Sequence, residues 1–104
     1  MGRMTIVFTT VSNQAAGEEF ATKIVEAKLA ACVQVLPRMT SVYMWQGRVT
    51  KDSEHLLLIK TLPEKYDELE AFITANHSYD IPEIVAVDAE RVSGAYLEWM
   101  KGNL

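Results

Sequence analysis

The stretch between Pro37 and Thr61 constrains this chain more than any other. Pro37 has no N–H to give a ladder, so the strand predicted over Ala31-Cys32-Val33-Gln34-Val35-Leu36 ends there. Extended structure resumes in Thr40-Ser41-Val42-Tyr43-Met44-Trp45-Gln46, and Gly47 permits a bulge or a close backbone approach. Residues 50–53, Thr-Lys-Asp-Ser, read as a turn. Glu54 to Thr61 then reads as a strongly apolar strand, central to a sheet. These strands are longer than a small domain needs, and they carry Tyr43, Met44 and Trp45 toward one end. In a chain of 104 residues such a hairpin overhangs the core. Its large apolar side chains call for a covering partner, so the hairpin is expected to be intersubunit surface.

The flanking segments supply the rest of one α+β domain spanning residues 1–104. Met4 to Val11 is rich in β-branched and aromatic residues, a first strand. Ser12 or Asn13 can cap a helix over 15–29, whose Ala16, Phe20, Ile24 and Ala27 recur at helical spacing, with Gly17 its weak point. Thr61-Leu62-Pro63-Glu64 predicts a second helix start, with Thr61 capping and Glu64 completing a reciprocal box. Leu62, Tyr66, Leu69 and Ile73 form its buried stripe, broadened by Phe72, and Asn76-His77-Ser78 ends it. Glu83 to Ala89 is a further strand, and Ser93 caps a short last helix through Lys101. Two helices across one face of a four-stranded antiparallel sheet is the natural packing for this order. It is the ferredoxin-like split β-α-β sandwich with an extended hairpin.

Composition narrows the function classes. Apolar residues make up 49% of the chain and charged ones 23%, which excludes disorder, and no apolar run approaches a membrane span. The formal charge of -4 argues against a protein built for a phosphate backbone. The strand that would carry an RNA-stacking platform, Glu54 to Lys60, has no aromatic residue, so no nucleic-acid partner is expected. Met1-Gly2-Arg3-Met4 leads straight into a strand without the apolar stretch of a secretory signal, and Gly2 lacks a myristoylation context, so a cytoplasmic location is expected.

Catalytic signals are thin: no P-loop, nucleophile elbow, dinucleotide fingerprint or zincin motif occurs. A pairing of Cys32 with His55 or His77 is formally open, but Cys32 lies in an apolar strand and reads as a small core residue. His55, beside Glu54, reads as a solvated edge residue. His77 stands at a helix end with Tyr79, Asp80 and Glu83 close by, where it is either a transition-metal ligand or a partner for the last carbonyls. Lys60 ends an apolar strand and, in a regular strand, shares a face with Glu54, Leu56 and Leu58. It either snorkels or joins a polar pocket with Tyr79, Glu83 and Trp45, pairing Glu83 or Asp80.

Five blocks in this order resemble the CutA divalent-cation tolerance family. They are Leu29-Ala30-Ala31-Cys32-Val33, Ser41 through Val49, Leu58-Ile59-Lys60-Thr61, His77 through Ile84, and Tyr96-Leu97-Glu98-Trp99. The resemblance implies a non-enzymatic, cytoplasmic ferredoxin-like subunit assembled as a homotrimer through edge-strand pairing. It also implies a role in tolerance of divalent metals with copper binding. At the family's copper-binding positions this chain carries Thr9, Asn76 and His77, so weak binding of Cu²⁺ or another divalent transition metal is expected to centre on His77. The same blocks place Trp45, Lys60, Tyr79 and Glu83 along a cleft between subunits. That cleft resembles those of small-molecule-sensing trimers of nitrogen regulation, which makes a non-catalytic sensor or scaffold the alternative function.

Overall fold

Residues 3–104 are described by a computed structural model. Met1 and Gly2, on which the expectation about a leader rests, lie outside the described residues. The elements run β1 (Met4–Val11), α1 (Gln14–Glu26), β2 (Cys32–Val35), β3 (Met39–Trp45), β4 (Arg48–Thr61), α2 (Tyr66–Asn76), β5 (Val85–Ala89) and α3 (Gly94–Gly102). A single turn of 3₁₀ helix, Pro63–Lys65, precedes α2. The sheet is antiparallel in the order β2-β4-β1-β5, and β3 pairs the outer half of β4. This is the ferredoxin-like arrangement, extended at one end by the β3–β4 hairpin.

Strand β4 is one continuous element of 14 residues. The turn expected at 50–53 does not exist there; those residues pair with β3, Thr50 opposite Tyr43 and Ser53 opposite Thr40. The chain reverses instead at Gln46-Gly47, between the paired Trp45 and Arg48. Both turn residues have positive φ, 51° and 77°, the two-residue geometry whose twist matches the flanking strands. Polar Thr-Lys-Asp-Ser looked like a loop because this part of β4 has no core beneath it.

Helix α1 begins where Asn13 accepts a hydrogen bond from the Ala16 N–H at 2.8 Å. It ends at Glu26, three residues before the expected Leu29. Lys28 turns into the left-handed region (φ 61°), Leu29 N–H donates to the Ile24 carbonyl and Lys28 N–H to that of Val25. This paired closure brings buried Leu29 back onto buried Ile24, an apolar contact that outweighs the cost of a left-handed lysine. The capping box expected at 61–64 is also absent. Thr61 stays in β4 opposite Thr5, and its hydroxyl donates to the Leu29 carbonyl at 2.7 Å. Ser93 does cap α3, accepting from Tyr96 N–H.

One sheet face carries Val7, Val11, Leu57 and Ile59, packed against Phe20 and Ile24 of α1 and Leu69 and Ile73 of α2. The strand register puts Met4, Ile6, Phe8, Leu56, Leu58, Val85 and Val87 on the other face. There α3 covers one end only, through Leu97 and Met100 against Met4 and Leu62. Val85 and Val87 remain exposed and Phe8, Leu56 and Leu58 half-buried.

Candidate functional site

The register also decides what the overhanging hairpin presents. Asp52 pairs with Ser41 and Glu54 with Met39, so Asp52, Glu54, Tyr43 and Trp45 share one face of the hairpin. The segment between α2 and β5 passes over that face. Between them lies a concavity of about 740 Å³, lined on the hairpin side by Tyr43, Trp45, Asp52 and Glu54 and on the other by Tyr79, Asp80 and Glu83. The Tyr79 hydroxyl donates to Glu54 Oε2 at 2.9 Å and the Tyr43 hydroxyl donates to Asp52. Burial, with Glu54 holding its proton second, pushes the Tyr79 phenol up to about 12. The bond to Asp52, more than burial, raises that of Tyr43.

His77 organises the wall that faces the hairpin. Its Nε2 lies 2.7 Å from the Thr10 carbonyl and its Nδ1 accepts from the Tyr79 N–H at 3.0 Å. These partners assign one tautomer, a neutral ring protonated at Nε2 with the Nδ1 lone pair already used. The ring packs edge-on to Phe20 and tilted against Tyr79, with centroids 5.9 Å and 4.7 Å apart. His77 therefore ties β1 to the backbone of Tyr79, and through Tyr79 to Glu54.

This geometry does not fit a resident metal at His77. Both ring nitrogens are engaged, the Thr9 hydroxyl is buried without a partner, and Asn76 Nδ2 donates to the Phe72 carbonyl. Among the described residues no three His, Cys, Asp or Glu side chains are grouped so as to hold a metal ion. His55 differs from the edge residue the sequence suggested: it is buried, opposite Val11 of β1 in the ladder, with Nδ1 2.9 Å from the Leu36 carbonyl.

Of the four residues expected along one cleft, Trp45, Tyr79 and Glu83 line the concavity and Lys60 does not. Lys60 shares the β4 face of Glu54 but stands six residues along it, about 20 Å away at the usual strand rise. Its Nζ lies 5.7 Å from the centroid of the Tyr96 ring, and no ion pair to Glu83 or Asp80 forms among the described residues. A cleft containing Lys60 together with Trp45 and Glu83 thus requires two chains. Asp52 and Glu54 were not singled out as site residues from sequence, and Tyr43 was expected only as intersubunit surface. Their signal was the alternation Asp52-x-Glu54, hidden by reading 50–53 as a turn.

Comparison with known proteins settles the lineage. The CutA1 divalent ion tolerance protein family matches residues 5–103. The chain belongs to that family. It is similar to the chloroplastic CutA of Arabidopsis thaliana, 46% identical over 94% of this chain and 54% of the relative. It is also similar to the divalent-cation tolerance protein CutA of Thermus thermophilus, 40% identical over 94% of this chain and 95% of the relative. The chain thus spans about half the length of the plant relatives it matches. Among solved structures, Oryza sativa CutA1 superposes with a TM-score of 0.93 at 42% identity, covering 97% of this chain and 93% of that one. No described helix is long and apolar enough to cross a membrane.

Proposed function

We propose that this CutA-family protein serves divalent-cation tolerance as a non-catalytic homotrimer of one-domain subunits. The observation that carries this reading is the uncovered apolar surface. Met44 and Val49 face each other across the hairpin at 63% and 70% exposure, and the sheet face of Phe8, Leu58, Val85 and Val87 is covered at one end only. A monomer has no use for so much exposed apolar area. The backbone supports the same reading. β1 begins to pair with β4 only at His55, so residues 48–54 offer an open ladder edge to a neighbouring chain. In such an assembly Lys60 of one subunit reaches the Trp45, Tyr79 and Glu83 wall of the next, completing an intersubunit cleft. That shared cleft favours the second reading, a small-molecule-sensing or scaffold trimer, in which the cleft binds a ligand and no bond is made or broken.

Copper has a lesser part in this proposal. A Cu²⁺ ion gains the His77 imidazole only by displacing the Tyr79 N–H or the Thr10 carbonyl, which supports weak binding. A cytoplasmic location suits the free thiol of Cys32. Light scattering on tag-free protein is expected to give three times the chain mass, and calorimetry with CuCl₂ only weak heat. A monomer at micromolar protein overturns the assembly. Copper affinity in the micromolar range or tighter, abolished by His77→Ala, overturns the reading of His77.

A further inference from the structure

The segment that crosses the hairpin, residues 78–84, is tethered by a single side chain. It joins the end of α2 to the start of β5 at Val85. None of its N–H or C=O groups pairs with another backbone group among the described residues. Both of its polar tethers belong to Tyr79, whose N–H donates to His77 Nδ1 and whose hydroxyl donates to Glu54. Ser78, Asp80, Ile81 and Glu83 are exposed, Ile81 at 75%.

The two ends of the segment are fixed by contrast. His77 N–H donates to the Ile73 carbonyl at 2.9 Å, closing α2, and its Nε2 sits on the Thr10 carbonyl. Ile84 packs against the main core, and Val85 stands opposite Phe8 in the ladder. Between these ends the chain has no place in the sheet to settle. Continued past Val85, the β5 register brings Glu83 opposite Thr10 and Pro82 opposite Val11. Pro82 has no N–H to donate, and the Thr10 carbonyl is already taken by His77. A segment with exposed backbone and few bonds opens locally at a small cost in free energy. The facing wall is different, because the β3–β4 ladder locks it from Met39 and Glu54 to Trp45 and Arg48.

We infer that residues 78–83 form a flap over the concavity, hinged between His77 and Ile84 and held shut by the bond from Tyr79 to Glu54. Opening lifts Tyr79, Asp80 and Glu83 off the hairpin together, while the ladder keeps Tyr43 and Trp45 in place. The flap is a property of the single chain. Its use as the gate of an intersubunit cleft rests on the cleft reading above.

Amide hydrogen exchange on the full, tag-free chain, read residue by residue by NMR, tests this. The two informative amides lie on either side of the hinge. His77 N–H reports the end of α2, and Tyr79 N–H reports the closed flap. The Tyr79 amide is expected to be protected in the unsubstituted chain. Tyr79→Phe keeps a ring against His77 and removes only the hydroxyl. It is expected to speed exchange of amide 79 at least about tenfold, a difference of roughly 1.4 kcal/mol, and to leave amide 77 at its original rate. Glu54→Gln, which keeps an uncharged acceptor for Tyr79, is expected to speed amide 79 by a smaller factor. An unprotected amide 79 in the unsubstituted chain, or no acceleration in either variant, overturns the flap. Equal acceleration at 77 and 79 overturns it as well, since α2 then frays as a whole. Light scattering on the same samples keeps the two readings apart. A monomer whose amide 79 alone responds removes the trimer and upholds the flap, whereas a trimer whose amide 79 does not respond removes the flap alone.

Discussion

Thr9 and Thr61 are both fully buried threonines, each on the helix-covered side of the sheet, and their hydroxyls meet opposite fates. Thr61 donates to the Leu29 carbonyl, while Thr9 Oγ1 has no partner among the described residues. An unmet buried hydroxyl costs about 1–3 kcal/mol, and a matched methyl removes that cost. Thr9→Val is therefore expected to stabilise the protein by about 1 kcal/mol, and Thr61→Val to destabilise it by a similar amount by orphaning the Leu29 carbonyl. Urea midpoints read both; a lowered midpoint for Thr9→Val sinks the first. Tyr79 gives a pH test. Its folded phenol holds its proton to about 12, whereas an unfolded chain releases it near the ordinary 10.0. Between those values the unfolded state binds fewer protons than the folded one. The contribution of Tyr79 is thus fully present below pH 10 and is lost as pH rises through about 12. Tyr79→Phe is expected to flatten the alkaline decline in unfolding free energy. A residual slope remains because Tyr43 and Tyr66 are raised as well, Tyr66 chiefly by burial. An unchanged slope in the variant contradicts the assignment.

Among the elements, α1 shows where local preference and packing part company. Gly17 reads in sequence as the weak point of the helix, and by propensity alone alanine there gains about 1 kcal/mol. In the fold it is buried and lies close against the sheet. A β-carbon at Gly17 meets Val11 Cγ2 at 3.0 Å and Val35 Cγ1 at 3.3 Å, both on stiff β-branched side chains. Overpacking of this kind costs about 1–3 kcal/mol, so Gly17→Ala is expected to destabilise by about 1 kcal/mol net in thermal or urea unfolding. A stabilised variant shows that α1 can lift off the sheet. The same contrast explains what the sequence made legible. β1, α1, β2 and α3 were readable because their apolar periodicity faces this chain's own core, and β5 because its β-branched run reads as a strand even though Val85 and Val87 stay exposed. The 50–53 stretch was not, because its ladder partner is β3 and its side chains face a concavity, so alternation of Asp52 and Glu54 looked like loop polarity. The Thr61 cap failed for a related reason: a tertiary acceptor, the Leu29 carbonyl, outbid the local N–H groups. His77 was recognisable as unusual, but its two backbone partners come from β1 and from its own loop, a juxtaposition that spacing does not encode.

At the scale of the whole molecule, the principal extents of 44 × 26 × 24 Å describe a body with a projecting arm. The arm's cross-strand pair, Met44 opposite Val49, shares its face with Val42, and all three apolar side chains are exposed. Replacing both by lysine leaves the Gln46-Gly47 turn and the ladder untouched while placing two charges where a neighbour's surface is proposed to sit. The double variant Met44→Lys/Val49→Lys is expected to weaken assembly at least about tenfold, read as mass against concentration in sedimentation equilibrium. Unaltered mass across that range argues that the arm's tip is not the contact. The open edge of residues 48–54 has a consequence in time as well. The hairpin closes through a two-residue turn, on a scale of about microseconds, whereas the meeting of chains depends on concentration and is far slower. On the way to the proposed trimer, each newly folded subunit therefore spends an interval with a ready template for strand addition exposed. Arg48, Lys51 and Asp52, charged and exposed along that same edge, are placed to discourage irregular stacking of chains during the wait.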